Sequence, residues 1–291
     1  MIRTLLAITL GIANSSSLLA QAKGPNLPEG ATLTKDIVYG DHVRNKFDLY
    51  QPKSEKPVPL VIWIHGGAWT GGDKASGLGI ARLLLPKGYA VASVNYRFFQ
   101  HDVFPAQIHD VKAALRQLRA DAKKYNLDAD NFGVGGDSAG GHLAALVGTS
   151  AGVKDADGTL GKYKDTSTVV KAVLDYYGPT DFLKMSPPGA KEGVITKLFG
   201  GDTGVKNDLA RLASPMTHVD KTDPPFLIIH GDKDPLVPLN QSEMLRDALK
   251  NVKVNCDLIA VKGGGHGSGG TGLKDHEKAI VAFFEKNLKA Q

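Results

Sequence analysis

From about residue 33 onward the chain repeats one pattern: an apolar run closed by glycine or a polar turn, then a segment of helical spacing. VPLVIWIHG (58–66), YAVASVNYR (89–97), VVKAVLDYYG (169–178), PPFLIIHG (224–231) and VKVNCDLIAVKG (252–263) are the clearest runs, and NFGVGG (131–136) is a short one. A strand facing solvent on one side alternates apolar with polar residues; a run such as VPLVIWI does not, so it reads as a strand buried on both faces. Between the runs, FPAQIHDVKAALRQLRADAKKY sets Ile108, Val111, Ala114, Leu115, Leu118 and Ala122 on one stripe, with charges expected to cover the other side. AGGHLAALVG, SEMLRDALKN and HEKAIVAFFEKNLK read as further helices. Buried strands alternating with helices predict an α/β fold, a mostly parallel sheet with helices on both faces and right-handed crossovers. Ahead of it, TKDIVYGDHVRNKFDLYQP (34–52) reads as two half-exposed strands around a turn, an antiparallel hairpin at the sheet edge.

The 291 residues suffice for one α/β domain with a full core. Residues 1–22 are set apart: Arg3, an apolar stretch from Leu5 to Ala13 and the small residues Ala20-Gln21-Ala22 form a secretory signal pattern. The polar break Asn14–Ser17 makes this stretch too short for a retained membrane anchor, which needs about 20 apolar residues. The expectation is export to the periplasm or the exterior, with residues 23–291 as a single catalytic domain. The formal charge of +5 is spread thinly, without a dense Lys/Arg run or interleaved aromatics, so a nucleic-acid partner is not expected. The single cysteine, Cys256, excludes an intramolecular disulfide and a Cys-based zinc site, and reads as a small core residue. Residues 179–223, rich in Pro, Gly and Lys, are long for a connection and read as a lid or substrate-binding insertion.

The chemistry centres on Gly136-Asp137-Ser138-Ala139-Gly140, a G-x-S-x-G string with a strand before it and a helix after it. A serine on a sharp strand-to-helix turn sits in strained backbone, and small neighbours leave room for the close packing around it. A helix N-terminus beside it favours negative charge. A phosphate-binding loop would need Gly-Lys-Ser or Gly-Lys-Thr, and no lysine is present. The GDSGG string of trypsin-like proteases is interrupted by Ala139, in a chain that is neither all-β nor rich in cysteine.

A nucleophilic serine needs a base, and the base an orienting acid. The strand–turn–helix setting of Ser138 resembles that of the α/β-hydrolases, and this resemblance implies partners in the order serine, carboxylate, histidine, on loops after late strands. Of nine histidines, His266 in VKGGGHGSGG lies directly after the last strand in a glycine-rich loop, and is the expected base. His276, on the closing helix among charges, reads as surface. HGDKDPLVP offers Asp234 and Asp232 at the end of the preceding strand; Asp234 is the first choice and Asp232 the fallback. Asp137 adjoins the serine but should point away from the base and bind backbone amides. His65-Gly66-Gly67-Ala68-Trp69 follows the strand VPLVIWI, where a backbone N–H should join that of Ala139 in an oxyanion hole. His65 itself reads as a loop-ordering residue.

Taken with VIWIHGGAWTGGDK, YAVASVNYRF, GGDSAGGHLAALVG, YYGPTDF, ASPMTHV, PPFLIIHGDKDPLVP and GGGHG, the chain resembles a serine esterase of the α/β-hydrolase superfamily. More narrowly, it resembles the esterase/lipase group that includes bifunctional feruloyl and acetylxylan esterases, in strings ordered from about residue 34 to 286. The resemblance implies an α/β-hydrolase fold, Ser138, Asp234 and His266 as catalytic residues, and oxyanion donors at Gly67, Ala68 and Ala139. It implies no metal or cofactor, and a small-molecule or polysaccharide ester as substrate. Ala68 departs from the group's frequent HGGGW; a backbone donor survives the change, in slightly more crowded space. Acetylated or feruloylated carbohydrate is the favoured substrate, a generic short ester the alternative, and a non-catalytic binding protein on the same scaffold the rival from another class.

Overall fold

The structure, a computed structural model, describes residues 26–185, 193–201 and 207–289. Residues 1–22, read from the sequence as a secretory signal, and parts of the 179–223 connection lie outside the described residues. Eight strands form one sheet: β1 (Thr32–Val38), β2 (Lys46–Gln51), β3 (Val58–Ile64), β4 (Ala90–Val94), β5 (Leu127–Asp137), β6 (Ala172–Tyr176), β7 (Phe226–Gly231) and β8 (Cys256–Val261). Their order is β1-β2-β4-β3-β5-β6-β7-β8, with β1/β2 and β2/β4 antiparallel and every later pair parallel. Eight α-helices accompany them among the described residues: α1 (Leu78–Leu84), α2 (Ala106–Ala120), α3 (Ala139–Thr149), α4 (Lys154–Asp157), α5 (Val194–Leu198), α6 (Asn207–Ala213), α7 (Asn240–Asn251) and α8 (Glu277–Leu288).

The unbroken apolar run of β3 has a direct explanation. Leu60, Ile62 and Ile64 enter one core with Ile108, Leu118 and Leu146, on the side of α2, α3 and α7. Val61 and Trp63 enter the other, with Ile80, Leu84, Ile280 and Phe284 of α1 and α8. Side chains alternate across a strand, so a central strand with helices on both faces must be apolar at every position. Cys256 is buried, and burial pushes its thiol up to about 12, in keeping with a core residue.

Two expectations change. The hairpin is present and antiparallel, but β2 is not half-exposed: it pairs β1 on one side and β4 on the other, and Phe47 and Leu49 are fully buried. Of the two hairpin strands, only β1 lies at an edge of the sheet. The charged side of α2 is not open to solvent either, since Asp110, Lys112 and Arg116 are buried. Asp110 pairs with Arg97 at 2.7 Å, Lys112 Nζ meets Asp157 and the Ser150 carbonyl at 2.6 Å, and Arg116 donates to the carbonyls of Asp157 and Leu160. The segment after α3 folds back over α2 and supplies acceptors that water would otherwise provide. A buried charge is tolerated when paired and hydrogen-bonded, and losing one partner costs about 3–5 kcal/mol.

Candidate active site

All the candidate groups stand at the carboxyl ends of parallel strands: the loop after β3, the turn after β5, and the loops after β7 and β8. Ser138 joins β5 to α3 with φ of 54° and ψ of −118°, a sparsely populated backbone conformation costing an L-residue about 1–3 kcal/mol. Tyr176 fixes it by accepting from the Ser138 N–H at 2.8 Å, and the Ser138 carbonyl accepts from His142 N–H at 2.9 Å. The flanking glycines are steric necessities. A Cβ on Gly140 would run into the Ile64 carbonyl oxygen, and one on Gly136 would stand 2.5 Å from the Gly140 backbone. The elbow is pressed that closely against the end of β3.

His266 Nε2 lies 2.8 Å from Ser138 Oγ, and its Nδ1 lies 2.7 Å from Asp234 Oδ2. Asp234 is held firmly: its side chain has no solvent exposure, and Oδ1 accepts from the amides of Leu236 at 2.8 Å and Val237 at 2.9 Å. Burial alone would raise its pKa, but bonds from His230, His266 and the two amides outweigh it and hold the carboxyl well below the usual range. Asp232, the fallback, points elsewhere and accepts from the Gly263 N–H at 2.7 Å, clasping the loops after β7 and β8. Tyr177, with φ of 41°, sets its ring 4.7 Å from the His266 ring. The structure thus brings Ser138, His266 and Asp234 into one hydrogen-bonded line.

The other sequence candidates also have defined places. Asp137 accepts from the Gly66 N–H at 3.2 Å, tying the serine turn to the loop after β3. Burial raises its pKa, which the Gly66 bond and the charge of His266 partly offset. His65 is buried against Tyr96 at 4.5 Å, with Nδ1 on the Gly66 carbonyl and Nε2 facing Arg44; burial lowers its pKa to about 4. It orders the loop. His276 bonds the Gly270 carbonyl and takes no part in the line. Gly67 and Ala68 carry φ of 110° and 53°, and neither N–H has an acceptor among the described residues. Ala139 opens α3, where an N–H has no intrahelical acceptor. Among the described residues no three His, Cys, Asp or Glu side chains are grouped to hold a metal ion, and no helix is long and apolar enough to cross a membrane.

Two histidines given no role by the sequence reading belong to the surroundings of the site. His230, fully buried in β7, bonds the Val237 carbonyl at 2.9 Å and Ser242 Oγ at 2.7 Å, and stands 3.4 Å from Asp234 Oδ2. Its signal was a polar residue ending an otherwise apolar strand run. His142 bonds the indole of Trp69. Its signal was its position one helical turn after Ser138, inside a helix otherwise built of small and apolar residues.

Comparison with known proteins bears on the family and the fold. The BD-FAE family model matches residues 47–249. Esterase LipC of Mycobacterium tuberculosis is 33% identical over 238 residues, which cover 79% of this chain and 59% of LipC. The chain spans 50 to 59% of the length of the curated relatives it matches. A solved structure described as a truncated form of a carbohydrate esterase from gut microbiota is 37% identical. It superposes with a TM-score of 0.85 over 91% of this chain and 99% of that one. An acetyl ester-xyloside bifunctional hydrolase from Caldicellulosiruptor lactoaceticus is 25% identical, with a TM-score of 0.73 over 90% and 98% of the two chains. The fold is that of the α/β-hydrolases, as the sequence implied. With the family match running from β2 through most of α7, the chain belongs to the BD-FAE family.

Proposed function

We propose that the chain is a serine carboxylic-ester hydrolase that removes acyl groups from esterified carbohydrate by a Ser138–His266–Asp234 triad. The observation that carries the reading is the pair of contacts, 2.8 Å and 2.7 Å, running from the serine oxygen through the imidazole to a fully buried carboxylate. His266 takes the proton of Ser138 as the oxygen attacks the ester carbonyl. The carbonyl oxygen gains charge and accepts from the amides of Gly67, Ala68 and Ala139. Asp234 stabilises the imidazolium through Nδ1–H, and the imidazolium gives its Nε2 proton to the departing alcohol. Water then enters, loses a proton to His266 and attacks the acyl-enzyme. The acid leaves and Ser138 recovers its proton.

The carbohydrate substrate is supported by two structural neighbours, a carbohydrate esterase and an acetyl ester-xyloside bifunctional hydrolase. Acetyl or feruloyl groups on polysaccharide are the substrate class we infer, and the pattern of residues 1–22 supports export to reach it. Ser138→Ala should abolish turnover of p-nitrophenyl acetate while keeping the wild-type melting temperature; wild-type rates in that variant would overturn the mechanism. A panel of acetylated xylan, methyl ferulate and p-nitrophenyl esters of rising chain length tests the substrate class. Strong preference for long acyl chains would sink it.

A further inference from the structure

In the loop after β3 three successive residues have left-handed backbone, Gly67, Ala68 and Trp69, with φ of 110°, 53° and 55°. For Ala68 and Trp69, which carry a Cβ, this is strained backbone, and such a conformation persists only where the surroundings over-determine it. Trp69 supplies the restraint. Its carbonyl accepts from Phe99 N–H at 2.9 Å, and its buried indole N–H donates to His142 Nδ1 at 3.2 Å. On its far side, His142 Nε2 lies 2.7 Å from the carbonyl oxygen of Ala213, at the end of α6. An indole N–H only donates and a carbonyl only accepts, so the imidazole between them carries its single proton on Nε2. Phe182 covers the pair, its ring 4.9 Å from His142 and 5.8 Å from Trp69, and packs in turn on Phe199. The backbone of His142 bonds the Ser138 carbonyl, so one residue touches the serine turn, the loop after β3 and the long connection after β6.

We propose that His142 is a positioning residue: its imidazole, accepting from Trp69 and donating to Ala213, sets where the Gly67 and Ala68 amides point. The long connection thereby holds the oxyanion loop. The proposal rests on reading those amides as oxyanion donors. A protonated His142 would present N–H to N–H across the Trp69 contact; burial lowers its pKa to about 4, so the link stays intact at any pH well above that.

The test compares three variants. His142→Phe keeps an aromatic ring and removes both bonds; Trp69→Phe removes only the indole N–H. His142→Gln can restore both, its amide oxygen accepting from Trp69 and its NH2 donating to Ala213. The readout is kcat for p-nitrophenyl acetate per site titrated with a fluorophosphonate probe, so that misfolded protein is not counted. In His142→Phe and Trp69→Phe, kcat should fall about 10- to 100-fold, as for a misplaced catalytic group, with KM within about threefold. His142→Gln should recover most of the loss. In the double variant Trp69→Phe/His142→Phe the two losses should be less than additive, as for partners in one contact. Wild-type kcat per titrated site in His142→Phe, whatever its melting temperature, would overturn the proposal, as would a Gln variant no better than Phe. If His142→Phe fails to fold, Trp69→Phe and His142→Gln decide by the same criteria. Turnover surviving in Ser138→Ala would instead defeat the Ser138–His266–Asp234 mechanism on which the proposal rests.

Discussion

Replacing Asp234 by Asn tests the acid at the end of the line with little change of shape. The amide oxygen has to stay where Oδ1 is, because the N–H groups of Leu236 and Val237 point at it from 2.8 and 2.9 Å. Turning the amide over would set its NH2 against those two donors, at about 1–3 kcal/mol for each buried donor left unsatisfied. The NH2 therefore takes the place of Oδ2, facing His266 Nδ1 at 2.7 Å. His266 answers by accepting at Nδ1 and carrying its proton on Nε2. A protonated Nε2 cannot take the proton of Ser138. The expected loss is about 10⁴-fold in kcat, the size found when the wrong tautomer blocks the base. That equals about 5.4 kcal/mol at 1.36 kcal/mol per factor of ten. Steady-state hydrolysis of p-nitrophenyl acetate measures it, with a melting curve to verify folding. Asp232→Asn is the control: its Oδ1 can still accept from Gly263 N–H, so activity should stay near wild type. A loss under about tenfold in Asp234→Asn, below the effect of a blocked base, refutes the tautomer argument. A large loss confined to Asp232→Asn moves the acid there.

Further outcomes follow from other sites. Gly140→Ala forces a Cβ into the Ile64 carbonyl; overpacking of this kind costs about 3 kcal/mol or more, read as a lower denaturant midpoint, and an unchanged midpoint would mean the elbow can yield. Asp175, fully buried with Oδ1 on the Gly178 N–H, has its pKa raised by burial from 3.8 to about 6. Its native form holds a proton that the unfolded chain releases, so stability falls as pH rises from about 4 to about 6, by up to about 3 kcal/mol. Asp175→Asn should remove that slope, seen as urea midpoints at pH 4.5 and 7 that lie closer together than in wild type. An identical slope in both proteins assigns the titration to another group.

What was legible in the sequence was whatever one continuous stretch could express. The run VPLVIWI declared a strand buried on both faces because each of its residues answers to one of two helical layers. Ser138 was legible because the strand, the turn glycines and the helix are all local to it, and His266 because its loop follows the last strand. The charges of α2 misled because the partners of Lys112 and Arg116, Asp157 and the carbonyls of Ser150 and Leu160, come from a segment about 40 positions further on, and that of Asp110, Arg97, from ahead of the helix, neither of which spacing on α2 can reveal. The same limit hid His142 and His230, whose partners Trp69, Ala213, Ser242 and Val237 meet them only through the tertiary fold. Asp234 and Asp232 are near neighbours in sequence and both satisfy the order along the chain; what separates them in space is which one meets the imidazole and which one clasps Gly263.

That clasp has a mechanical consequence. The loops after β7 and β8 are joined by Asp232 Oδ1 to Gly263 N–H, Asp232 N–H to the Val261 carbonyl and Lys233 N–H to the Gly264 carbonyl. Asp234 and His266 are therefore carried together on the outermost pair of parallel strands, while Ser138 sits at the end of β5, with β6 between β5 and β7. A displacement of the outer pair relative to β5 would leave the 2.7 Å contact inside it unchanged. The separation that varies is the one from Nε2 to Oγ. Heat or mild denaturant is expected to open that gap first, quenching turnover before the imidazole parts from its carboxylate.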